Sequence, residues 1–356
     1  MRYRDVGVLT YSRERATPGF TLIAPLPTKS VYLIGMLGEV LHQWNFPWTP
    51  GNYAHLLPNG NLLWSGRTDE GPPLRSGKGG LLREVTWGGE VVWEYIDHAQ
   101  HHDFRRLSNG NTIYIGWEAI PTTCGRRIRG GRPGTERDGV IYGDYIREVT
   151  PSGESVWEWH AYEDMELERY EVCPACNRDE FAHANACFPL PDGDIMISFR
   201  RLNLIAIIDK ATRRFRWEKR DDSWGHQHDC SLLPNGKILL FANGIHGSGN
   251  PHSRVVELDP ATGDVKWEYQ GSPPWTFFSP NISGAQRFPN ENTLICEGQM
   301  GRVFEVTPEE EIVWEYVCPF FAPYGGRGLG NCLFRAYRYS VDAPEIGGRL
   351  STPIGW

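Results

Sequence analysis

The 356-residue sequence has no apolar run approaching the ~18 residues that would cross a bilayer as a helix, so neither a transmembrane helix nor a membrane partner is expected. Its opening stretch, Met1-Arg2-Tyr3-Arg4-Asp5, lacks the ~7–15 apolar residues of a secretory signal, and a cytoplasmic location is expected. It also has no excess of positive charge. Lys and Arg number 36 against 44 Asp and Glu, a net charge of −8, which argues against general nucleic-acid binding. Disorder is excluded by what the chain does contain: 14 Trp, 15 Tyr and 15 Phe supply ample surface to bury. Gly and Pro are abundant, at 40 and 26. Fourteen tryptophans and this many turn formers need one explanation.

A repeat provides it. One phrase occurs six times: an alternating segment, a Pro/Gly/Asp turn, and a second alternating segment that reaches Trp44, Trp93, Trp157, Trp217, Trp267 or Trp314. Each copy reads as a β-hairpin. A second hairpin phrase lies between the copies, as Leu57-Pro-Asn-Gly-Asn61, Leu107-Ser-Asn-Gly-Asn111, Leu190-Pro-Asp-Gly-Asp194, Leu233-Pro-Asn-Gly-Lys237 and Phe288-Pro-Asn-Glu-Asn292. Four strands per unit at a spacing of ~50 residues is the pattern of a β-propeller blade. Five units run from about residue 50 to 316, and a sixth is assembled from residues 20–44 and from Asn331–Ser340. The expectation is an all-β, six-bladed propeller over residues 1–356, one domain, closed by N- and C-terminal strands sharing a blade.

Turns within the hairpins are short, whereas the connections at the other strand ends are long (67–82, 117–143, 160–180, 243–253, 270–282 and 318–330), so any site belongs at the loop-rich mouth of the channel. Counting back from each inner turn gives the channel-facing positions Asn52, His102, Asn185, His228 and Ser283, all polar. His183 shares a face with Asn185, and hairpin geometry sets Arg200 opposite His183. Alternation turns His101, Asp103, His226 and Asp229 away from His102 and His228. A polar channel that merely holds water accounts for any one of these residues. Three histidines with an arginine, and no convergent carboxylate, suit an anion such as sulfate, phosphate or carboxylate. A metal competes as ligand, though Arg200 would repel a cation.

Cys173-Pro-Ala-Cys176, followed by His183 and Cys187, has a spacing that resembles a structural zinc site, with Cys173, Cys176 and Cys187 as its thiols. A Cys173–Cys176 disulfide is the alternative. The other five cysteines read as small core residues. The loop from Cys124 to Arg137 carries five arginines. A solvated surface loop is the preferred reading, and an anion-steering lid the sharper one.

The chain resembles the aryl-sulfate sulfotransferases of bacteria and fungi. Gly19-Phe-Thr-Leu-Ile-Ala-Pro, Val31-Tyr-Leu-Ile-Gly and Val40-Leu-His-Gln-Trp44 are similar to that family's first blade. His101-His-Asp103, His183-Ala-Asn185, Ile197-Ser-Phe-Arg200, Gln227-His228 and Phe334-Arg-Ala-Tyr-Arg-Tyr339 are similar to later motifs. Relatives tend to read Phe-Asp-Asn-Gly where this chain has Phe241-Ala-Asn-Gly244. The resemblance implies a propeller that moves a sulfuryl group between phenols, with no cofactor required and no nucleotide sulfate donor. It implies His228 as the histidine that becomes sulfated, His102 and His183 as further catalytic histidines, and Arg200 and Asn185 as sulfate-binding residues. Asn52 and Ser283 join these as substrate-binding candidates from their channel position. The expected partner is a small anionic aromatic substrate, with the oligomeric state left open. Two rivals remain: a propeller lyase acting on a uronate-type substrate, and a non-catalytic binding propeller.

Overall fold

A computed structural model describes residues 5–247, 249–326 and 328–350. The expectation that one domain runs from residue 1 to 356 therefore extends, at both ends and at residues 248 and 327, outside the described residues. The structure is a six-bladed propeller of antiparallel sheets. From the axis outward, blade I contains Pro50–Leu56, Leu62–Arg67, Gly80–Val85 and Val91–Ile96, and blade II contains Gln100–Arg106, Thr112–Ala119, Tyr142–Val149 and Ser155–His160. Blade III contains Ala184–Pro189, Ile195–Phe199, Leu204–Ile208 and Phe215–Arg220, and blade IV His228–Leu232, Ile238–Ala242, Arg254–Leu258 and Val265–Gln270. Blade V is built from Gly284–Arg287, Thr293–Glu297, Arg302–Val306 and Ile312–Val317.

Blade VI closes the ring as expected. Its innermost strand is Leu333–Tyr339, and its other three are Phe20–Pro25, Ser30–Ile34 and Val40–Asn45. The sequence reading did not foresee a further strand, Gly7–Tyr11, which pairs with Ile312–Val317 and gives blade V a fifth, outermost strand. No helix among the described residues is long and apolar enough to cross a membrane.

The repeated tryptophans stitch neighbouring blades together. Trp44 Nε1 donates to Thr86 O (3.2 Å), Trp93 to Pro151 O (3.0 Å) and Trp157 to Lys210 O (2.9 Å). Trp217 donates to Pro260 O (2.9 Å), Trp267 to Pro308 O (3.0 Å) and Trp314 to Met36 O (2.8 Å). The fourth strand of every blade, counted from the axis, thus ties its indole to the outer hairpin turn of the next blade, around the whole circle. Replacing Trp217 with Phe keeps a ring but orphans the Pro260 carbonyl, and is expected to cost about 1–2 kcal/mol in a denaturant titration. Adding Trp44→Phe on a distant blade should double that loss, because well-separated sites act independently.

The inner turns show why Asn-Gly and Asp-Gly recur. Gly60 has φ +82°, a left-handed conformation, and the Asn59 side chain accepts from Asn61 N at 2.9 Å. At the opposite rim, two of the expected long loops are joined: Gly130–Arg132 pairs in parallel with Val172–Asn177.

Candidate functional site

The innermost strands converge on the axis, and five of the six are bulged where the site forms. Register breaks leave residues 51–53, 102–103, 185, 229–230 and 334–335 out of the regular ladder. His102 (φ +52°), His183 (φ +58°) and Asp229 (φ +52°) adopt left-handed backbone that bulky residues avoid. Bulging re-aims side chains that strict alternation would have sent elsewhere.

His102, His183, His228, Arg200 and Asn52 line one cavity of about 200 Å³, as anticipated. The hairpin pairing that sets Arg200 opposite His183 holds, with Arg200 N donating to His183 O at 3.0 Å. His102 and His183 meet edge to face with ring centroids 4.7 Å apart. Phe334 forms an apolar wall 6.0 Å from the His102 ring and 6.2 Å from His228, centroid to centroid. Asn185 and Ser283, also expected at the mouth, do not line this cavity. The bulge at 185 turns the Asn185 amide to donate to Gln227 O (2.8 Å), and the Ser283 hydroxyl accepts from Gly298 N (3.0 Å). Asn52 splits its amide between Gly77 O and His102 O, bracing the left-handed turn at His102.

His228 has one tautomer set by its surroundings. Nδ1 lies 2.7 Å from Asn243 Oδ1 and 3.2 Å from His226 O, both acceptors. The Asn243 amide cannot be turned round, because Nδ2 donates to Ser279 O (2.8 Å) and Ile282 O (3.0 Å). Nδ1 therefore carries the proton, and Nε2 holds the lone pair. Sequence reasoning passed over Asn243, although it stands in the quoted Phe241–Gly244 segment.

Two more supports were missed. The buried Glu180 places Oε2 2.5 Å from His183 Nδ1, so a carboxylate does approach the cluster. Behind His102, its Nδ1 is 2.7 Å from His101 Nδ1, and His101 Nε2 is 3.3 Å from the buried Asp144. His101 faces away from the cavity, as alternation requires, yet touches it through His102.

The cavity is strongly cationic. Arg67, Arg75, Lys78, Arg200 and Arg201 line it, and no Asp or Glu does among the described residues. Arg201 is spent on Asp179 and on backbone carbonyls. By contrast, the Arg200 guanidinium makes no hydrogen bond or ion pair among the described residues. Burial, then neighbouring histidines and Arg200, push His102 well below the ordinary imidazole range. Burial, then Arg201 and Arg200, do the same to His183. Such a pocket holds neutral imidazoles beside permanent cations, and it can accept an anion.

Beneath the cavity floor lies a buried charge cluster. Arg335 Nε is 2.9 Å from Asp229 Oδ1, Nη1 is 3.1 Å from Asp103 Oδ2, and Nη2 donates to Asn185 O at 2.8 Å. Asp103 also accepts from Tyr53 OH and from Cys187 N (2.8 Å). Asp103 and Asp229 do face away from His102 and His228, and the reason is Arg335. Its signal in the sequence was the lone arginine of Phe334-Arg-Ala at a channel position.

The expected zinc set needs correction. Cys173 and Cys176 come together with His226 and His246, all four ligand atoms lying within 4.8 Å of one another. Cys187 and His183 are elsewhere. Cys187 sits on the innermost strand of blade III, buried, its N–H committed to Asp103, and His183 faces the cavity. The arginine-rich loop is pinned rather than poised: Arg127 pairs with Glu168, Arg129 with Glu168 O, Arg132 with Asn177 and Arg137 with Pro73 O.

The sequence profile of the arylsulfotransferase (ASST) family matches residues 80–318. The chain belongs to the arylsulfotransferase family. No curated protein matches it. Among solved structures, this arylsulfotransferase-family chain is similar to a Bacteroides caccae protein of unknown function, with TM-score 0.53, 13% identity, and 84% of this chain and 94% of that one covered. It is also similar to a streptogramin B lyase, with TM-score 0.50, 12% identity, and 88% and 83% covered. A catalytically inactive virginiamycin B lyase from Staphylococcus aureus gives TM-score 0.50 and 11% identity, with 88% of each chain covered. At these identities the likeness is one of fold alone.

The buried histidines are expected to make this arylsulfotransferase-family fold acid-labile. His55, like His102 and His183, is held well below the imidazole range, by burial and then by Arg105 and Arg335. In the resting fold all three are held neutral, so below the ordinary imidazole pKa they take up protons from solvent when the chain unfolds. Their contribution is complete above the unfolded pKa of ~6.5 and is lost as pH falls below it. His160 opposes them, its pKa raised first by the hydrogen bond to Glu118. Stability is expected to drop by about 2–4 kcal/mol between pH 7 and 5.5, read from urea midpoints, whereas a flat profile would contradict neutral burial.

Proposed function

We propose that the chain transfers a sulfuryl group from an aryl sulfate to a phenol through a transiently sulfated His228. One observation carries this reading: a cationic cavity, with no Asp or Glu in its lining among the described residues, that holds a histidine whose Nε2 lone pair is set by Asn243. In the first half-reaction His228 Nε2 forms the N–S bond as the aryl O–S bond breaks, and the phenoxide leaves. Arg200 and the surrounding guanidiniums stabilise charge on the sulfuryl oxygens. In the second half an acceptor phenol loses its proton to His183 and its oxygen takes the sulfuryl group, restoring His228. The proton held on His183 goes to the next leaving phenoxide. Glu180 beside Nδ1 supports the imidazolium that forms, which favours His183 over His102 as the acid–base group. Phe334 offers the aryl ring a stacking wall.

Incubation with p-nitrophenyl sulfate and phenol tests the proposal. Nitrophenolate release that depends on phenol, with parallel-line ping-pong kinetics, is the expected result. No release, together with an unsaturated product from a uronic-acid polymer, would replace it with the lyase reading. Inertness in both assays, with no sulfate binding, would leave a non-catalytic propeller.

A further inference from the structure

We propose that Cys173, Cys176, His226 and His246 form a closed Cys2His2 site for a structural zinc ion, outside the cavity and taking no part in bond making or breaking there. The separations are those of a coordination shell. Cys173 Sγ is 3.4 Å from His246 Nδ1, Cys176 Sγ is 3.7 Å from His226 Nε2, and Cys176 Sγ is 3.9 Å from His246 Nδ1. A tetrahedral zinc with sulfur at ~2.3 Å and nitrogen at ~2.05 Å requires sulfur–nitrogen edges of about 3.6 Å. Four protein ligands with no carboxylate and no position left for water make a structural rather than a catalytic site. Thiolate and imidazole donors select zinc over magnesium or calcium.

The backbone is shaped to present these ligands. His226 (φ +70°) and His246 (φ +59°) both adopt left-handed conformations, and their rings meet with centroids 4.6 Å apart. Two backbone bonds clamp the segments that carry them: Gly244 N to Trp224 O at 3.0 Å and Ile245 N to Gly225 O at 3.1 Å. The approach is so close that a Cβ on Gly225 would lie 2.5 Å from Ile245 N, so glycine is required there. The thiols arrive on Val172–Asn177, which is tied to Gly130–Arg132 on one side and to Arg201 through Asn177 O on the other. Three of the four ligands are buried, and only His246 is exposed.

The site joins three segments that sequence separates: the 170s loop, the entry to blade IV and the loop after Phe241. His226 lies two residues before His228, and its carbonyl is one of the two acceptors at His228 Nδ1. A zinc ion would hold that carbonyl in place as well as the cavity wall formed by Arg200 and Arg201.

Metal analysis of protein purified without chelator tests this. About one zinc per chain is expected, falling at least about tenfold in the Cys173→Ser/Cys176→Ser variant, while Cys187→Ala keeps its metal. Should the double variant fold poorly, His246→Ala at the exposed ligand gives the same reading. Cobalt replacement should produce thiolate-to-metal charge transfer and the strong visible bands of tetrahedral coordination, both absent from the variants. The proposal is overturned by protein that is isolated without metal and takes up no cobalt, by a Cys173–Cys176 disulfide in the purified chain, or by metal retained equally in all variants.

Discussion

His228→Ala should lower kcat for phenol-dependent nitrophenolate release by at least about a thousandfold, because it removes the only group proposed to bond to sulfur. The protein should remain folded, since His228 contributes one ring at the cavity wall and the strand that bears it is paired to Phe241. Stable labelling of the wild type by a radioactive aryl sulfate, absent in the variant, is the companion result. Asn243→Ala should be intermediate. It leaves the nucleophile but frees its tautomer, so kcat should fall while KM changes little. Full activity in His228→Ala would transfer the nucleophile's role elsewhere and sink the sulfo-histidine route. Equal effects of the two substitutions on KM alone would make both residues binding groups.

Arg335→Met should be the most damaging single change to stability. Burial works to raise the pKa of Asp103, but Arg105 and Arg335 overcome it and hold its carboxyl below the usual range. For Asp229 burial prevails over Arg335, and its pKa is raised. Removing the guanidinium leaves two buried carboxylates facing each other with only Arg105 near, at a cost of about 3–5 kcal/mol. A protein of ordinary stability loses much of its margin at that cost. The sign with pH is distinctive. Losing Arg335 raises the Asp229 pKa further, so protonation relieves the repulsion and the gap between variant and wild type should narrow as pH falls. Asp229→Asn in the Arg335→Met background should recover part of the loss at neutral pH. Urea midpoints for the three proteins at two pH values decide the matter, and a pH-independent gap would assign the effect to packing instead.

The blades were legible in the chain because their signals are local. A turn glycine, an alternating segment and a terminal tryptophan lie within a few residues of one another, and each copy repeats the same chemistry. The channel positions were legible for a related reason: each of Asn52, His102 and His228 sits the same distance before its own turn, and His183 shares a strand face with Asn185, which does too. What local spacing could not predict was the bulge in five of the six inner strands. A bulge displaces the alternation, so it swings Asn185 away from the cavity toward Gln227.

By itself, then, the sequence determined the repeat, the number of blades, the shared closing blade and the histidines at the mouth. Only the tertiary structure decided who stands beside them. Glu180 reaches His183 within one loop, but Asn243 meets His228 across a hairpin, and His226 and His246 meet Cys173 and Cys176 from some fifty to seventy residues away. The neighbours of the CxxC pair are set by distance in space, and in a propeller the nearest neighbours in space belong to the next blade. That is why the chain's own spacing pointed to Cys187, while the closed ring put two histidines of the blade IV loops in its place.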